Sequence, residues 1–144
     1  MTTTTLTTAE TIRETETPKR NPRKKDIELQ ARGEEAAALF LEKRGYEILE
    51  RNWNCYAGEV SIIACDEDDT LVFVEVKTRK DAQKGFSAEV KTAEKREKYE
   101  KIAIAFLKDY DAVDFTVRFD TISIVVMSPD RALIRHHIAA LNAC

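Results

Sequence analysis

The sequence has few of the residues that bind zinc or form disulfides. Its 144 residues include three cysteines, Cys55, Cys65 and Cys144, and two histidines, His136 and His137. The cysteines stand at irregular spacing without a CxxC pair, and the histidines lie far from the first two. The spacing of a zinc site is therefore missing. Reduced thiols in a cytosolic protein are the simpler interpretation of this odd number of cysteines.

Long apolar runs are also missing. No stretch approaches the roughly 18 consecutive apolar residues that a membrane span requires, and the N-terminus lacks the apolar core of a signal peptide. With 43% hydrophobic and 34% charged residues, the composition is typical of a globular protein. The length suits one domain with a hydrophobic core. We therefore expect a cytoplasmic protein that does not bind a membrane.

An excess of positive charge is the third absence. The net charge is −3, whereas proteins that bind nucleic acid without specificity usually have a basic balance. Positive charge is nevertheless concentrated locally, because KRNPRKK at 19–25 carries five cationic residues. This run either contacts phosphates or is a solvated linker. It ends a threonine-rich segment with almost no large apolar residues, so we predict a disordered tail over 1–26 and one domain over 27–144.

Hydrophobic periodicity predicts two helices and five strands in that domain. The first helix runs from Ile27 to Arg44, with Gly45 as its stop signal, and the second covers 90–110. Strands are predicted at 46–53, 59–65, 71–79, 116–127 and, as a short edge strand, 132–138, with a loop at 80–89. The order α-β-β-β-α-β-β predicts an α/β fold with a central mixed sheet flanked by helices.

The second and third predicted strands form a hairpin that carries unusual polar residues. Glu75 and Lys77 lie inside an otherwise apolar strand. Because residues two apart share a face of a strand, Glu75, Lys77 and Arg79 are expected on one face, and Glu59 and Ser61 on one face of the neighbouring strand. The hairpin would place these two faces side by side.

Such a cluster has two interpretations. Burying an unpaired charge costs on the order of several kcal/mol, so carboxylates beside a lysine suit a divalent metal ion and a phosphate. Mg²⁺ or Mn²⁺ would bind the carboxylates, and Lys77 would orient or help to deprotonate the attacking water. The alternative is a cross-strand ion pair on a solvated face. The E-x-K spacing alone does not decide, since Glu89 and Lys91 repeat it.

Longer segments carry a more specific resemblance. They include RGEEAA (32–37), RGYEILERNW (44–53), LVFVEVKTR (71–79) and RFD (118–120). In this order they resemble the uncharacterised YraN-type family of bacterial proteins. That family is similar to the restriction-endonuclease-like, PD-(D/E)xK fold and, within it, to the archaeal Holliday-junction resolvases. The resemblance implies DNA, or else RNA, as the partner, and by analogy a homodimer.

The same resemblance assigns roles to residues. The hairpin of the family typically reads G-E-I-D-L-I-A and then F-V-E-V-K-T-R, so Glu59, Glu75 and Lys77 match. Ser61 stands where the family has the aspartate that is the principal metal ligand of this fold. A serine hydroxyl is a neutral, poor ligand for Mg²⁺, which implies a weak or absent metal ion. Glu34 matches a glutamate that assists the metal site in related resolvases.

The candidate residues fall into three sets. The catalytic candidates are Glu75, Lys77 and Glu34; the metal candidates are Glu75, Glu59 and Ser61; and the nucleic-acid-binding candidates are Lys77, Arg79, Lys91 and Lys95. Aromatic Trp53 and Phe86 either stack on bases or pack within the fold. Asp120 is interpreted as a structural charge paired with Arg118.

Three functions remain open at this point. The first is a nucleic-acid-binding protein with a nuclease fold and an impaired metal site. The second is an active Mg²⁺-dependent endonuclease on branched or structured DNA, for which the substitution Ser61→Asp is the discriminating test. The third is an interaction protein that binds no nucleic acid, which the net charge of −3 favours.

Overall fold

The helices and strands are close to those predicted from hydrophobic periodicity. A computed structural model describes residues 2–7, 22–80, 92–109 and 116–140. In chain order its elements are β1 (Thr2–Thr7), α1 (Pro22–Lys43), β2 (Glu47–Cys55), β3 (Gly58–Cys65), β4 (Thr70–Arg79), α2 (Thr92–Asp109), β5 (Thr116–Ser128) and β6 (Arg131–His137). Neither described helix is long and apolar enough to cross a membrane. Most of the predicted loop at 80–89 lies outside the described residues.

The strands form one mixed sheet in the order β1-β6-β5-β4-β3-β2. The neighbours β4 and β5 are parallel and all other pairs are antiparallel. A parallel pair needs a long crossover, and the segment that contains α2 supplies it. The predicted α/β class, with a central mixed sheet flanked by helices, is confirmed, and it is consistent with the restriction-endonuclease-like fold.

Each face of the sheet is covered by one helix. On one face α1 contributes Ala36, Ala37, Ala38, Phe40 and Leu41 to a cluster with the alternate residues Val72, Val74 and Val76 of β4. On the other face α2 contributes Tyr99, Ile102, Ala103 and Phe106 to a cluster with Leu71 and Phe73. Because β4 is buried on both faces, its sequence is an apolar run rather than an alternating pattern.

Helix α1 approaches β4 closely at Gly33. A Cβ atom placed on Gly33 would lie 1.8 Å from Oγ1 of Thr78, well inside van der Waals contact. Only glycine therefore allows the helix to sit this close to the C-terminal end of β4. The helix ends as predicted at Gly45, whose φ of +91° is readily adopted only by glycine, and whose N–H donates to the carbonyl of Glu42 at 3.1 Å.

The prediction of a disordered tail over 1–26 requires correction at both ends. Thr2–Thr7 form β1, which pairs antiparallel with β6, and α1 begins at Pro22 instead of Ile27. Threonine is β-branched and favours extended backbone, and the outer side of β6 offers unpaired N–H and C=O groups. Because β1 pairs with it, β6 is not at the edge of the sheet, and the prediction of β6 as an edge strand is wrong. Residues 8–21 lie outside the described part of the chain.

Candidate nucleic-acid and nuclease-like site

The candidate site lies where β3 and β4 separate. Their antiparallel ladder runs from the pair Cys65–Leu71 to the pair Ile62–Val74 and ends there. Beyond it, the backbone N–H of Val76 donates to Oγ of Ser61 at 3.1 Å. A side-chain hydroxyl thus accepts the hydrogen bond that a strand carbonyl would otherwise take. Strand β4 stays paired with β5 on its other side as far as Arg79.

Strand β3 is irregular at this point. Val60 and Ile63 both pack in the cluster under α2, whereas Ile62 packs in the cluster under α1. Strict alternation would place Val60 with Ile62, so the alternation changes phase between them. The expectation that Glu59 and Ser61 share a face assumed regular alternation along β3, so it no longer holds. The side chain of Glu59 is exposed.

Glu75 is held by a lysine from α2. Nζ of Lys95 donates to both carboxylate oxygens of Glu75, at 3.0 and 3.2 Å. The side chain of Lys95 is only 27% exposed and that of Glu75 only 19% exposed. The sequence assigned Glu75 to a metal ion and Lys95 to nucleic acid. The structure brings the two residues together as an ion pair.

Lys77 belongs to the same group of charges. Its side chain is half-buried, and burial together with the neighbouring ammonium of Lys95 lowers its pKa below the ordinary value, although the Glu75 carboxylate acts in the opposite direction. Burial also raises the pKa of the Tyr99 phenol, and the negative charges of Glu75 and Glu59 add to this effect. Tyr99 therefore stays neutral and packs beneath the group.

Glu34 lies on α1, which covers the opposite face of the sheet from α2. It is 8% exposed and accepts a hydrogen bond at 3.0 Å from Nε2 of Gln30. Gln30 also donates to the carbonyl of Val76 at 2.7 Å and accepts from the N–H of Thr78 at 3.3 Å. Gln30 thus joins α1 to the backbone of β4. Sequence reasoning missed it, although its position one turn before Glu34 was the available signal.

The donors present do not fit a divalent metal ion. Within the described ranges, no three side chains among His, Cys, Asp and Glu lie close enough together to hold one. Glu75 is paired with Lys95, Glu34 is bonded to Gln30, and Ser61 supplies only a neutral oxygen. A single carboxylate already bound by an ammonium is a poor site for Mg²⁺, which requires oxygen ligands in near-octahedral geometry.

An exposed aromatic residue stands beside the cationic groups. Tyr56, at the tip of the β2–β3 hairpin, is 83% exposed. The same tip contains Gly58, where an added Cβ would lie 2.7 Å from Cε of Lys98 on α2. Lys98 follows Lys95 by one helical turn, so the hairpin tip lies next to the charged start of α2. Sequence reasoning did not select Tyr56; its position in a short turn was the available signal.

The remaining candidates are placed as follows. Trp53 packs edge-on against Phe106, with 5.3 Å between the ring centroids, which confirms its interpretation as a packed residue. Arg79 is half-buried at the end of β4. Phe86 and Lys91 lie outside the described residues.

Asp120 forms a buried polar network away from this site. Arg118 donates to both of its carboxylate oxygens at 2.9 Å, Nε2 of His136 lies 2.7 Å from Oδ2, and the N–H of Ala139 donates at 2.8 Å. Arg118 also donates to the hydroxyl of Tyr46 at 2.8 Å. Burial alone would raise the pKa of Asp120, but these hydrogen bonds hold it below the ordinary value. The predicted structural pairing with Arg118 is confirmed.

Comparison with known proteins gives the family. Residues 33–124 match the model of the uncharacterised protein family UPF0102. The chain belongs to the UPF0102 family. This is the YraN-type family that the sequence resembles. A UPF0102 protein of Geobacter sulfurreducens is 44% identical over 108 residues, which cover 75% of this chain and 84% of that protein. A UPF0102 protein of Pelobacter propionicus is 38% identical over 128 residues, which cover 88% and 91%.

A solved structure shows only weak similarity to this UPF0102 protein. It is the SfsA protein of Pyrococcus furiosus in complex with Ca²⁺, at 12% identity and a TM-score of 0.32. The match covers 83% of this chain and 64% of that one. Similarity at this level does not extend the bound Ca²⁺ of SfsA to the present chain.

Proposed function

We propose that this UPF0102 protein binds nucleic acid, DNA in particular, through a cationic surface that consists of Lys77, Arg79, Lys95 and Lys98. The observation that carries the proposal is the bond of Lys95 to both oxygens of Glu75. The ion pair cancels the charges of Glu75 and Lys95 against each other, while position 61 holds an uncharged serine. Lys77, Arg79 and Lys98 therefore keep this surface cationic, although the whole chain has a net charge of −3.

Phosphate groups are the ligands that suit this surface. Lysine and arginine side chains in this arrangement contact the phosphate backbone and carry no sequence information by themselves. Such binding weakens with salt, because each neutralised phosphate releases condensed counterions. Tyr56 at the neighbouring hairpin tip adds an aromatic ring on which an unpaired base can stack. The surface thus favours DNA that contains single-stranded or branched segments.

Fluorescence anisotropy in EDTA tests this proposal. Labelled single-stranded DNA, duplex DNA, a four-way junction and single-stranded RNA are titrated with the full chain over a series of salt concentrations. The variants Lys77→Gln and Lys98→Gln each remove one cation from the surface. Lys108→Gln is the matched control, because Lys108 is exposed in the last turn of the same helix.

We expect each surface variant to bind more weakly and to reduce the slope of log K against log salt by about 0.7–0.9, the contribution of one phosphate contact. Lys108→Gln should bind like the wild-type protein. If no nucleic acid binds at low salt, either in EDTA or with Mg²⁺, the proposal is wrong, and the interpretation as an interaction protein replaces it. A preference for RNA over every DNA would correct the choice of partner.

One observation favours the second candidate function, a divalent-metal endonuclease on branched DNA. Lys77 keeps its position beside Glu75, and its lowered pKa suits a group that exchanges a proton. A cleavage assay with Mg²⁺ or Mn²⁺ on the same four substrates tests it, with Lys77→Ala as control. Cleavage that requires Lys77 would establish this function. We expect none in the wild-type protein, because the donors at the site do not fit the metal.

A further inference from the structure

The pair of Lys95 and Glu75 is built into the packing between α2 and the sheet. Lys95 continues the row of α2 residues that face the sheet, since Tyr99, Ile102 and Phe106 follow at helical spacing and are buried. Glu75 continues the row of Leu71 and Phe73, the β4 residues that these α2 side chains cover. Because the two rows pack against each other, the ammonium of Lys95 and the carboxylate of Glu75 lie in contact.

The bond itself occupies the part of the carboxylate that a metal ion would need. One ammonium nitrogen lies 3.0 and 3.2 Å from the two oxygens of Glu75 and so bridges them. Bidentate charge-assisted contacts of this kind are stronger than neutral hydrogen bonds. A divalent ion that binds both oxygens would have to displace Lys95.

Position 61 adds to the disadvantage of a metal ion. Oγ of Ser61 already accepts the N–H of Val76, so a metal ion would compete for an oxygen that is neutral and engaged. A second ammonium, that of Lys77, lies close to Lys95 and lowers the affinity for any further cation. Two features of the site thus act together against a metal ion: position 61 supplies no carboxylate, and the ammonium of Lys95 occupies the carboxylate of Glu75.

We infer that the ammonium of Lys95 is the resident cation of this site and takes the place of a divalent metal ion. Lys95 balances the charge of Glu75 from within the chain. Nucleic acid then binds the cationic surface without divalent metal, a consequence that rests on the proposed function. The assignment of Lys95 as the resident cation does not depend on the proposed function and can be tested separately.

Titration with Mn²⁺, monitored by the electron paramagnetic resonance of the free ion, tests the inference on the full chain. Wild-type protein is compared with Ser61→Asp, Lys95→Met and the double variant. Lys95→Met keeps an unbranched apolar stem and removes only the ammonium. Lys98→Met is the matched control on the same helix. Thermal unfolding of each variant, with Lys95→Gln as a second substitution, shows that the fold is kept.

We expect no saturable Mn²⁺ site in wild-type protein or in Lys98→Met. Removal of Lys95 in the Ser61→Asp background should tighten Mn²⁺ binding about 10-fold or more, the range seen when a group that tunes a metal site is changed. Equal affinity of Ser61→Asp and the double variant would overturn the inference. So would a wild-type Mn²⁺ site that disappears in Glu75→Gln.

A second comparison separates this inference from the proposed function. Anisotropy with single-stranded DNA is repeated in EDTA and in Mg²⁺ at constant ionic strength. Equal affinity in both buffers is expected. Binding that appears only with Mg²⁺ would overturn the inference and leave the proposed function standing. Failure to bind in either buffer would overturn the proposed function, while the Mn²⁺ titration would still decide the role of Lys95.

Discussion

The backbone N–H of Val76 donates to Oγ of Ser61 at 3.1 Å, beyond the last paired residues of β3 and β4. The hydroxyl therefore has a structural role at the position where the family resemblance leads one to expect a metal ligand. A buried or half-buried N–H without a partner is costly, so the bond explains why a small acceptor stands at position 61. An aspartate could accept the same bond, and a residue without an acceptor could not.

Ser61→Ala should therefore destabilise the protein. Loss of the acceptor leaves the N–H of Val76 unsatisfied, which costs about 1–3 kcal/mol. Urea unfolding measures the free energy of unfolding, with Ser128→Ala as control, because the hydroxyl of Ser128 donates to the carboxylate of the exposed Asp130 in a turn. Ser61→Asp should lie closer to wild type than Ser61→Ala. Equal stability of Ser61→Ala and wild type would contradict the structural role of this bond.

Gly33→Ala should also destabilise the fold. The new Cβ would overlap Oγ1 of Thr78, so α1 would have to move away from β4, at a cost of about 1–3 kcal/mol. The double variant Gly33→Ala with Thr78→Ala removes Oγ1 of Thr78, the atom that the new Cβ would overlap. It should recover part of the loss in urea unfolding. If the double variant loses the full sum of the two single effects, the residues are not in the contact described.

Asp120→Asn tests the buried network and its pH dependence. The substitution leaves Arg118 without its bidentate partner and should cost about 3–5 kcal/mol at pH 7. The pKa of Asp120 is lowered in the folded state, so its charge stabilises the fold above its unfolded pKa of about 4, and this stability is lost as the pH falls through the folded pKa. The difference between wild type and Asp120→Asn should therefore shrink below about pH 4.

Unfolding by urea at pH 7 and at a series of acidic pH values measures that difference. Asp130→Asn is a suitable control, because Asp130 is exposed and its carboxylate bonds Ser128 in the turn before β6. A difference that stays constant from pH 7 to pH 3 would mean that the ionised carboxylate of Asp120 is not what stabilises the network.

Tyr56→Ala should weaken binding to single-stranded DNA more than binding to duplex DNA. Stacking of an aromatic ring on an unpaired base contributes about 1–3 kcal/mol, and bases inside a duplex are not free to stack on Tyr56. Tyr56→Phe keeps the ring and should bind like wild type. Anisotropy with both substrates makes the comparison. An equal loss on duplex and single-stranded DNA would remove base stacking as the role of the hairpin tip.

Much of the fold was accessible from local patterns. The apolar run of β4, the alternating pattern of β6 and the apolar stripes of α1 and α2 are set by residues close together in the chain. Gly45 ends α1 because its backbone conformation is left-handed, which is also a local property. Among the candidate site residues, Glu75, Lys77 and Lys95 lie together, with the ammonium of Lys95 paired to the carboxylate of Glu75, and their roles stay a prediction.

The remaining features depend on contacts between distant parts of the chain. Local composition indicated disorder for Thr2–Thr7, and only the unpaired backbone of β6 provides the partner that makes them a strand. The phase change between Val60 and Ile62 depends on which helix each side chain meets, so alternation within β3 could not reveal it.

The sequence by itself determined the two helices, the β3–β4 hairpin, the α/β class and the presence of serine where the family resemblance calls for aspartate. The tertiary structure alone decided what Glu75 is bonded to. Lys95 lies 20 residues further along the chain, and its ammonium reaches Glu75 because α2 packs on that face of β4 in one register. The sequence does not distinguish one lysine of α2 from another, and the packing of the helix on the sheet determines which of them contacts the carboxylate of Glu75.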